Sequence, residues 1–216
     1  MKKVEYVGLN KELVDSYDKT NHKIWNSTEG QIVEVRKFVR DHYLQEQGYR
    51  CAYCRIEKKE GHGMSWDVEH VLSKSLFPLF LFEPLNLVVA CKECNTAKDD
   101  TNVLVKPKQR LTAYPSDKDS YTIVHPHLDT YSDHFEIIVV GKRRSYRMLN
   151  KHKARTTYLV CNLSRFDYQY AEWDDFDAEI VSQFSDFLDH CPKDATPDEV
   201  KRMLGHLRFV QKADFT

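Results

Sequence analysis

Two short cysteine motifs, CAYC at residues 51–54 and CKEC at residues 91–94, decide the fold of this chain. The two residues between the cysteines of each motif let both thiolates reach one tetrahedral ion, and two such motifs complete a four-sulfur zinc site. A site with four protein ligands has no position for a reactive water, so the ion would connect two distant turns. The sequence therefore predicts a structural zinc site formed by Cys51, Cys54, Cys91 and Cys94, worth on the order of 10 kcal/mol of folding free energy.

The cysteines allow two other interpretations, and both are weaker. A redox-active pair normally lies between a strand and a helix, as in thioredoxin-like proteins, and the sequence predicts that context for neither motif. Cys161 and Cys191 stand alone in the sequence. Because isolated thiols are often buried as small hydrophobic residues, we expect both to be structural.

The composition is that of a globular chain outside the membrane. Of the 216 residues, 41% are hydrophobic and 30% are charged, which is enough to bury a core and argues against a disordered chain. The longest apolar stretch, Leu76 to Ala90, is interrupted by two prolines and Glu83, so no transmembrane helix is predicted. No apolar run follows the basic start at Met1, so we expect no signal peptide and a cytoplasmic location.

Charge is segregated along the chain although the formal net charge is only -1. Residues 142–155 contain seven basic and no acidic residues, whereas residues 167–189 contain eight acidic residues and no lysine or arginine. Such runs are commonly solvated helix faces. The functional alternative is a basic face that binds phosphates beside an acidic face that repels nucleic acid or docks a partner.

Hydrophobic spacing predicts an α+β fold with three regions. A helix is expected over Gln31 to Gln47, ending near Gly48, then a strand within Ser65 to Leu72 and a helix from about Asn95. Further on, the patterns predict strands at 121–124 and 135–140, a basic helix at 142–160, an acidic helix at 173–188 and a helix start at Thr196. The regions are a helical lead-in (1–48), the zinc unit (49–106) and a mainly helical C-terminal region (107–216).

Polar residues with catalytic chemistry lie between and after the cysteine motifs. Glu69 and the amide oxygen of Asn95 are hard ligands suited to Mg²⁺ or Mn²⁺, while His70 could take a proton from water. Adjacent side chains on a regular strand point to opposite faces, so Glu69 and His70 share a pocket only if the strand end bends. The alternative is that His70 is a hydrogen-bonded structural residue.

The stretch from about Tyr49 to Asp100 resembles the zinc-containing branch of the HNH endonucleases. The resemblance rests on the order Cys-x-x-Cys, Glu-His, Asn, Cys-x-x-Cys-Asn-x-x-Lys. It implies a ββα-metal catalytic unit that hydrolyses DNA phosphodiester bonds with Mg²⁺ or Mn²⁺. By position it implies the following roles: His70 as general base, Glu69 and Asn95 as metal ligands, Asn86 as the amide that holds the loop carrying the base, and Lys98 as a phosphate contact.

The segment from Glu69 to Ser75, with the later Pro78-Leu79 and Asn86-Leu87, resembles the nuclease subunit of Septu-type antiphage systems, a subunit that is also found beside some retrons. That resemblance implies control by a partner ATPase. The acidic segment from Glu172 to Asp189 is then the candidate docking face, because DNA would avoid it. A stand-alone restriction-like HNH nuclease, a non-catalytic zinc module that binds nucleic acid or protein, and a scaffold subunit are the alternatives.

Two further groups of residues are candidates for binding. One contains His125, His127, Asp129 and His134, whose spacing fits no standard metal-ligand set, so a structural role is favoured. The other, Lys106, Lys108 and Arg110, follows the zinc unit and could extend a phosphate-binding track.

Overall fold

The computed structural model describes residues 1–59, 64–108, 110–140, 143–149 and 151–168. These residues mix helices with small antiparallel sheets, which confirms the predicted α+β fold, and those up to Asp167 lie in one compact unit. The elements are α1 (Gly8–Asp15), α2 (Gln31–Glu46), β1 (Trp66–His70), β2 (Leu87–Cys91), α3 (Lys92–Lys98), β3 (Phe135–Val140), β4 (Arg143–Met148), α4 (Lys151–Val160) and α5 (Arg165–Tyr168). The predicted acidic helix, the helix start at Thr196 and Cys191 lie outside the described residues.

Helix α2 forms where its hydrophobic spacing predicts it. Its buried residues lie on one face, which packs against β1 and β2: Ile32, Val35, Val39, Tyr43 and Leu44. The helix ends because Gly48 adopts a positive φ of 57°, a conformation that glycine tolerates well. The amide of Tyr49 then donates to the Leu44 carbonyl at 2.8 Å, which turns the chain into the first cysteine motif.

Strands β1 and β2 pair antiparallel, and α3 follows β2 without a loop. Asp67 lies opposite Ala90 and Glu69 opposite Val88 in the register. Helix α3 begins at Lys92, three residues before the predicted start, because the strand runs to Cys91 and the second cysteine motif itself turns into the helix. The second motif therefore spans the end of a strand and the start of a helix, contrary to the sequence interpretation.

The helix predicted over residues 142–160 forms only in the second half of that segment, so the prediction is wrong for the first half. Residues Arg143–Met148 form β4, which pairs with β3, and only Lys151–Val160 is helical. Tyr146 lies opposite Ile137, is 6% exposed, and donates its hydroxyl hydrogen to the Cys54 carbonyl. Pairing with the apolar strand β3, which a local pattern does not encode, therefore decides the structure of this basic segment.

The predicted strand at residues 121–124 is reduced to one bridge between Tyr121 and Leu104. Beyond the bridge, the amide of Val124 donates to the side-chain oxygen of Thr157 on α4 at 2.8 Å. A side chain thus replaces the backbone partner that a continued strand would need. The apolar residues at this position are nevertheless buried, as the spacing predicted.

The histidine-rich stretch after residue 124 is a hydrogen-bonded structural network. His125 Nε2 lies 2.9 Å from the Tyr114 hydroxyl, and His127 Nε2 lies 2.9 Å from the Leu87 carbonyl of β2. The carboxylate of Asp129 forms a buried ion pair with Lys153 at 2.8 Å. Within the described residues, only the four cysteines form a cluster of His, Cys, Asp and Glu side chains that could hold a metal ion.

Because His125 in this network is buried, we expect the protein to be less stable in mild acid. Burial lowers the pKa of His125 to about 3, so the folded chain keeps this ring neutral while the unfolded chain protonates it below pH ~6.5. Lowering the pH from 7 to 5 should therefore reduce the free energy of unfolding by about 2 kcal/mol through His125 alone. The measurement is urea denaturation across this pH range.

His125→Asn retains an acceptor and should show a shallower pH slope than the parent, whereas His152→Asn, which alters an exposed ring, should keep the parent slope. Equal slopes for the parent and His125→Asn would contradict the assignment.

Candidate metal centre and catalytic face

The four cysteine sulfurs converge in one buried cluster. Their Sγ atoms all lie within 4.8 Å of one another, and Cys54 Sγ is 3.7 Å from Cys91 Sγ. Four thiolates at the Zn–S distance of about 2.3 Å around a tetrahedral ion are about 3.8 Å apart, which agrees with this separation. The cluster can therefore hold a structural metal ion such as zinc, as the sequence predicted.

Hydrogen-bond donors surround these sulfurs. The Arg165 guanidinium at the start of α5 donates to Cys94 Sγ at 3.1 Å, and the Cys91 amide donates to Cys51 Sγ at 3.4 Å. Such donors stabilise the negative charge of metal-bound thiolates. Arg165 could not be found from the sequence, because it lies far along the chain and no local pattern connects it to the cysteines.

Glu69 points from β1 toward α3 and is engaged in a buried ion pair. Its Oε1 lies 2.7 Å from Lys98 Nζ and accepts a hydrogen bond from the Tyr53 hydroxyl at 3.1 Å. The Lys98 side chain is 0% exposed and also donates to the His70 carbonyl at 3.0 Å. Tyr53 belongs to the first cysteine motif, so these three residues connect the metal cluster, β1 and α3.

Asn95 does not contact Glu69 but contacts Asp67, a second carboxylate on the same face of β1. Its Nδ2 donates to Asp67 Oδ2 at 2.8 Å, and Asp67 Oδ1 forms an ion pair with Lys92. Asp67 and Glu69 share this face because they are two residues apart on a strand. Asp67 is not among the residues predicted for the site, although the alternation of side chains along a strand would have placed it beside Glu69.

His70 lies on the opposite face of β1 and is 4% exposed. Its Nε2 is 3.0 Å from the Leu81 carbonyl, and its ring packs edge-on against Trp25 at a centroid distance of 4.6 Å. Because a carbonyl oxygen only accepts hydrogen bonds, Nε2 carries the proton and Nδ1 carries the lone pair. Burial, with a contribution from Lys74, lowers the pKa of His70 to about 3, so the ring is neutral at cellular pH.

Asn86 holds the loop that follows His70. Its Oδ1 accepts from the Leu72 amide at 2.7 Å, and its Nδ2 donates to the carbonyls of Leu72 and Phe80, each at 3.0 Å. The side chain is fully buried, so these bonds are shielded from water. The loop closed in this way includes Leu81, whose carbonyl orients the His70 ring.

The structure therefore brings the predicted site residues into separate contacts. Glu69 is joined to Lys98, Asn95 to Asp67, and His70 to Leu81 on the other face. The side chains of the candidate phosphate track, Lys106, Lys108 and Arg110, are exposed.

This chain is similar to a protein of an antiphage system. The Septu protein PtuB of Bacillus thuringiensis is 25% identical over 139 residues, which cover 64% of this chain and 46% of that protein. The chain thus spans less than half the length of this relative, and the match agrees with the resemblance to Septu-type systems. No family model and no solved structure matches the chain.

Within the described residues, no helix has both the length and the apolar character to cross a membrane.

Proposed function

We propose that this protein is a metal-dependent HNH endonuclease that hydrolyses DNA as part of a Septu-type antiphage system. The observation that supports the proposal most is the strand–strand–helix order of β1, β2 and α3, held by the four-cysteine cluster and carrying Glu69, His70 and Asn95. The similarity to PtuB supports the antiphage link. A partner ATPase is part of the proposal, and the acidic segment suggested for docking it lies outside the described residues.

In this proposal His70 is the general base. The Leu81 carbonyl fixes its Nε2–H tautomer, so Nδ1 is the atom that would take a proton from the attacking water. Asn86 supports this arrangement by closing the loop that contains Leu81. A low pKa keeps His70 unprotonated but makes it a weak base, so contact with an anionic phosphate would be needed to raise that pKa.

Glu69 and Asn95 are the proposed ligands of Mg²⁺ or Mn²⁺, and their oxygen atoms are of the hard type that these ions prefer. Such an ion would supply Lewis-acid stabilisation of the charge that develops on the phosphate. The role of Lys98 is revised in this proposal. Because its ammonium group is buried against Glu69 and the His70 carbonyl, it positions the end of β1 instead of contacting phosphate.

A non-catalytic zinc module is the second candidate function. It is favoured by the burial of His70 and by the Lys98 ammonium, which already neutralises Glu69. A module of this kind would bind nucleic acid or protein without cutting, and binding would not depend on a hard divalent ion.

Supercoiled plasmid distinguishes these two functions. The full, zinc-loaded chain is incubated with Mg²⁺, with Mn²⁺ or with EDTA, and plasmid nicking is followed on gels while DNA binding is followed by anisotropy. We expect nicking in the presence of either divalent ion and none in EDTA, because the hydrolysis requires a hard cation. Binding that persists in EDTA, with no nicking when the ions are restored, would reject the nuclease in favour of the module.

A further inference from the structure

The face of β1 that is turned toward α3 carries one buried ion pair and one that is accessible to solvent. The Glu69 side chain is 6% exposed and its partner Lys98 is 0% exposed, whereas Asp67 is 23% exposed and its partner Lys92 is 46% exposed. A hydrated ion from solvent therefore reaches Asp67 without displacing a buried charge. Separating Lys98 from Glu69, in contrast, would leave a buried ammonium group without its counter-charge.

The distance between Asp67 and Asn95 suits two ligands of one hard cation. Asp67 Oδ2 lies 2.8 Å from the terminal amide atom of Asn95. Neighbouring oxygen ligands of an octahedral Mg²⁺ at about 2.1 Å are about 3.0 Å apart, which is close to this separation. Rotation of the amide exchanges its nitrogen and oxygen, so Asn95 can donate to Asp67 in the metal-free chain and present its oxygen to an ion.

The ion pair with Lys92 shows that the Asp67 carboxylate is accessible to a positive charge. The Lys92 ammonium group forms this ion pair with Asp67 Oδ1, the oxygen that Asn95 does not contact. The carboxylate thus already carries one positive charge on a flexible and exposed side chain. Such a side chain can leave for water at little cost when a divalent ion arrives.

We propose that Asp67 is a ligand of the divalent cation, which it shares with Asn95, and that Lys92 competes with the ion for this carboxylate. The inference rests on the proposed nuclease function and adds a residue to its metal site. With Asp67 and Asn95 holding the ion, Glu69 can act as a further ligand while its Oε1 remains paired with Lys98.

Mn²⁺ binding to the full, zinc-loaded chain tests this assignment without reference to cleavage. Free and bound Mn²⁺ are measured by electron paramagnetic resonance, with zinc content and melting temperature as checks on folding. We expect Asp67→Asn to weaken Mn²⁺ binding at least about tenfold, because ligand charge sets the affinity of such sites. Lys92→Met should strengthen binding by about twofold to fivefold, because it removes the competing ammonium.

Asp41→Asn is the matched control, since Asp41 is an exposed carboxylate that pairs with a lysine on α2. It should bind Mn²⁺ like the parent. Parent-like affinity in Asp67→Asn would overturn the assignment of Asp67, and continued plasmid cutting by the parent would leave the nuclease proposal intact. A parent chain that neither binds Mn²⁺ nor cuts DNA would overturn both.

Discussion

Replacing Cys51 with serine is expected to release the zinc ion and unfold the unit formed by β1, β2 and α3. The four-sulfur cluster is buried, and all four thiols lie within bonding reach of one ion. Loss of a ligand removes a large part of a binding free energy of about 10 kcal/mol, which is comparable with the whole stability of a typical domain. Zinc content by atomic absorption and thermal unfolding by circular dichroism measure the two expected losses.

Cys161→Ala is the control for this experiment. Cys161 is a fully buried thiol outside the cluster, so its replacement alters core packing but removes no ligand. We expect that variant to keep its zinc and to lose only a few degrees of melting temperature. An unchanged zinc content and melting curve in Cys51→Ser would show that the cluster is not a structural metal site.

Features encoded in short stretches could be predicted from the sequence. The four-cysteine cluster follows from the two-residue spacing within each motif, and α2 and β3 follow from the spacing of their apolar residues. The opposite directions of Glu69 and His70 also follow from the strand period.

Features that depend on distant partners could not be predicted in this way. Strand β4 forms because β3 is available as a partner, although the basic residues of β4 also suit a helix. Arg165 reaches the sulfurs only through tertiary packing. The burial of Lys98 is the clearest case, since a lysine after a cysteine motif suggests a surface cation until the fold places Glu69 against it.

The buried pair of Glu69 and Lys98 links the metal cluster to the proposed chemistry. Breaking such a pair is costly because it leaves one unpaired charge inside the protein. Lys98 contacts both the Glu69 carboxylate and the His70 carbonyl, and Tyr53 joins Glu69 to the first cysteine motif. Loss of zinc would therefore disturb the end of β1 as well as the turns that hold the ion.

Replacing His70 with alanine should abolish divalent-ion-dependent plasmid nicking while zinc stays bound. Removal of a general base costs typically about 10² to 10⁴-fold in rate. The imidazole also packs against Trp25, so its removal leaves a space and should lower the melting temperature. Rates of nicking under single-turnover conditions, with zinc content measured on the same samples, separate the catalytic loss from loss of the metal cluster.

Two comparisons show whether the lost rate comes from the base itself. His22→Ala removes a half-buried histidine outside the proposed site and should nick plasmid like the parent. Added imidazole should occupy the space left in His70→Ala and restore part of the rate, because it returns a proton acceptor to the same position. His70→Gln keeps most of the packing volume but has no comparable base, so it should stay inactive. Full activity in His70→Gln would make the ring a structural residue and would assign the water-activating step to another group.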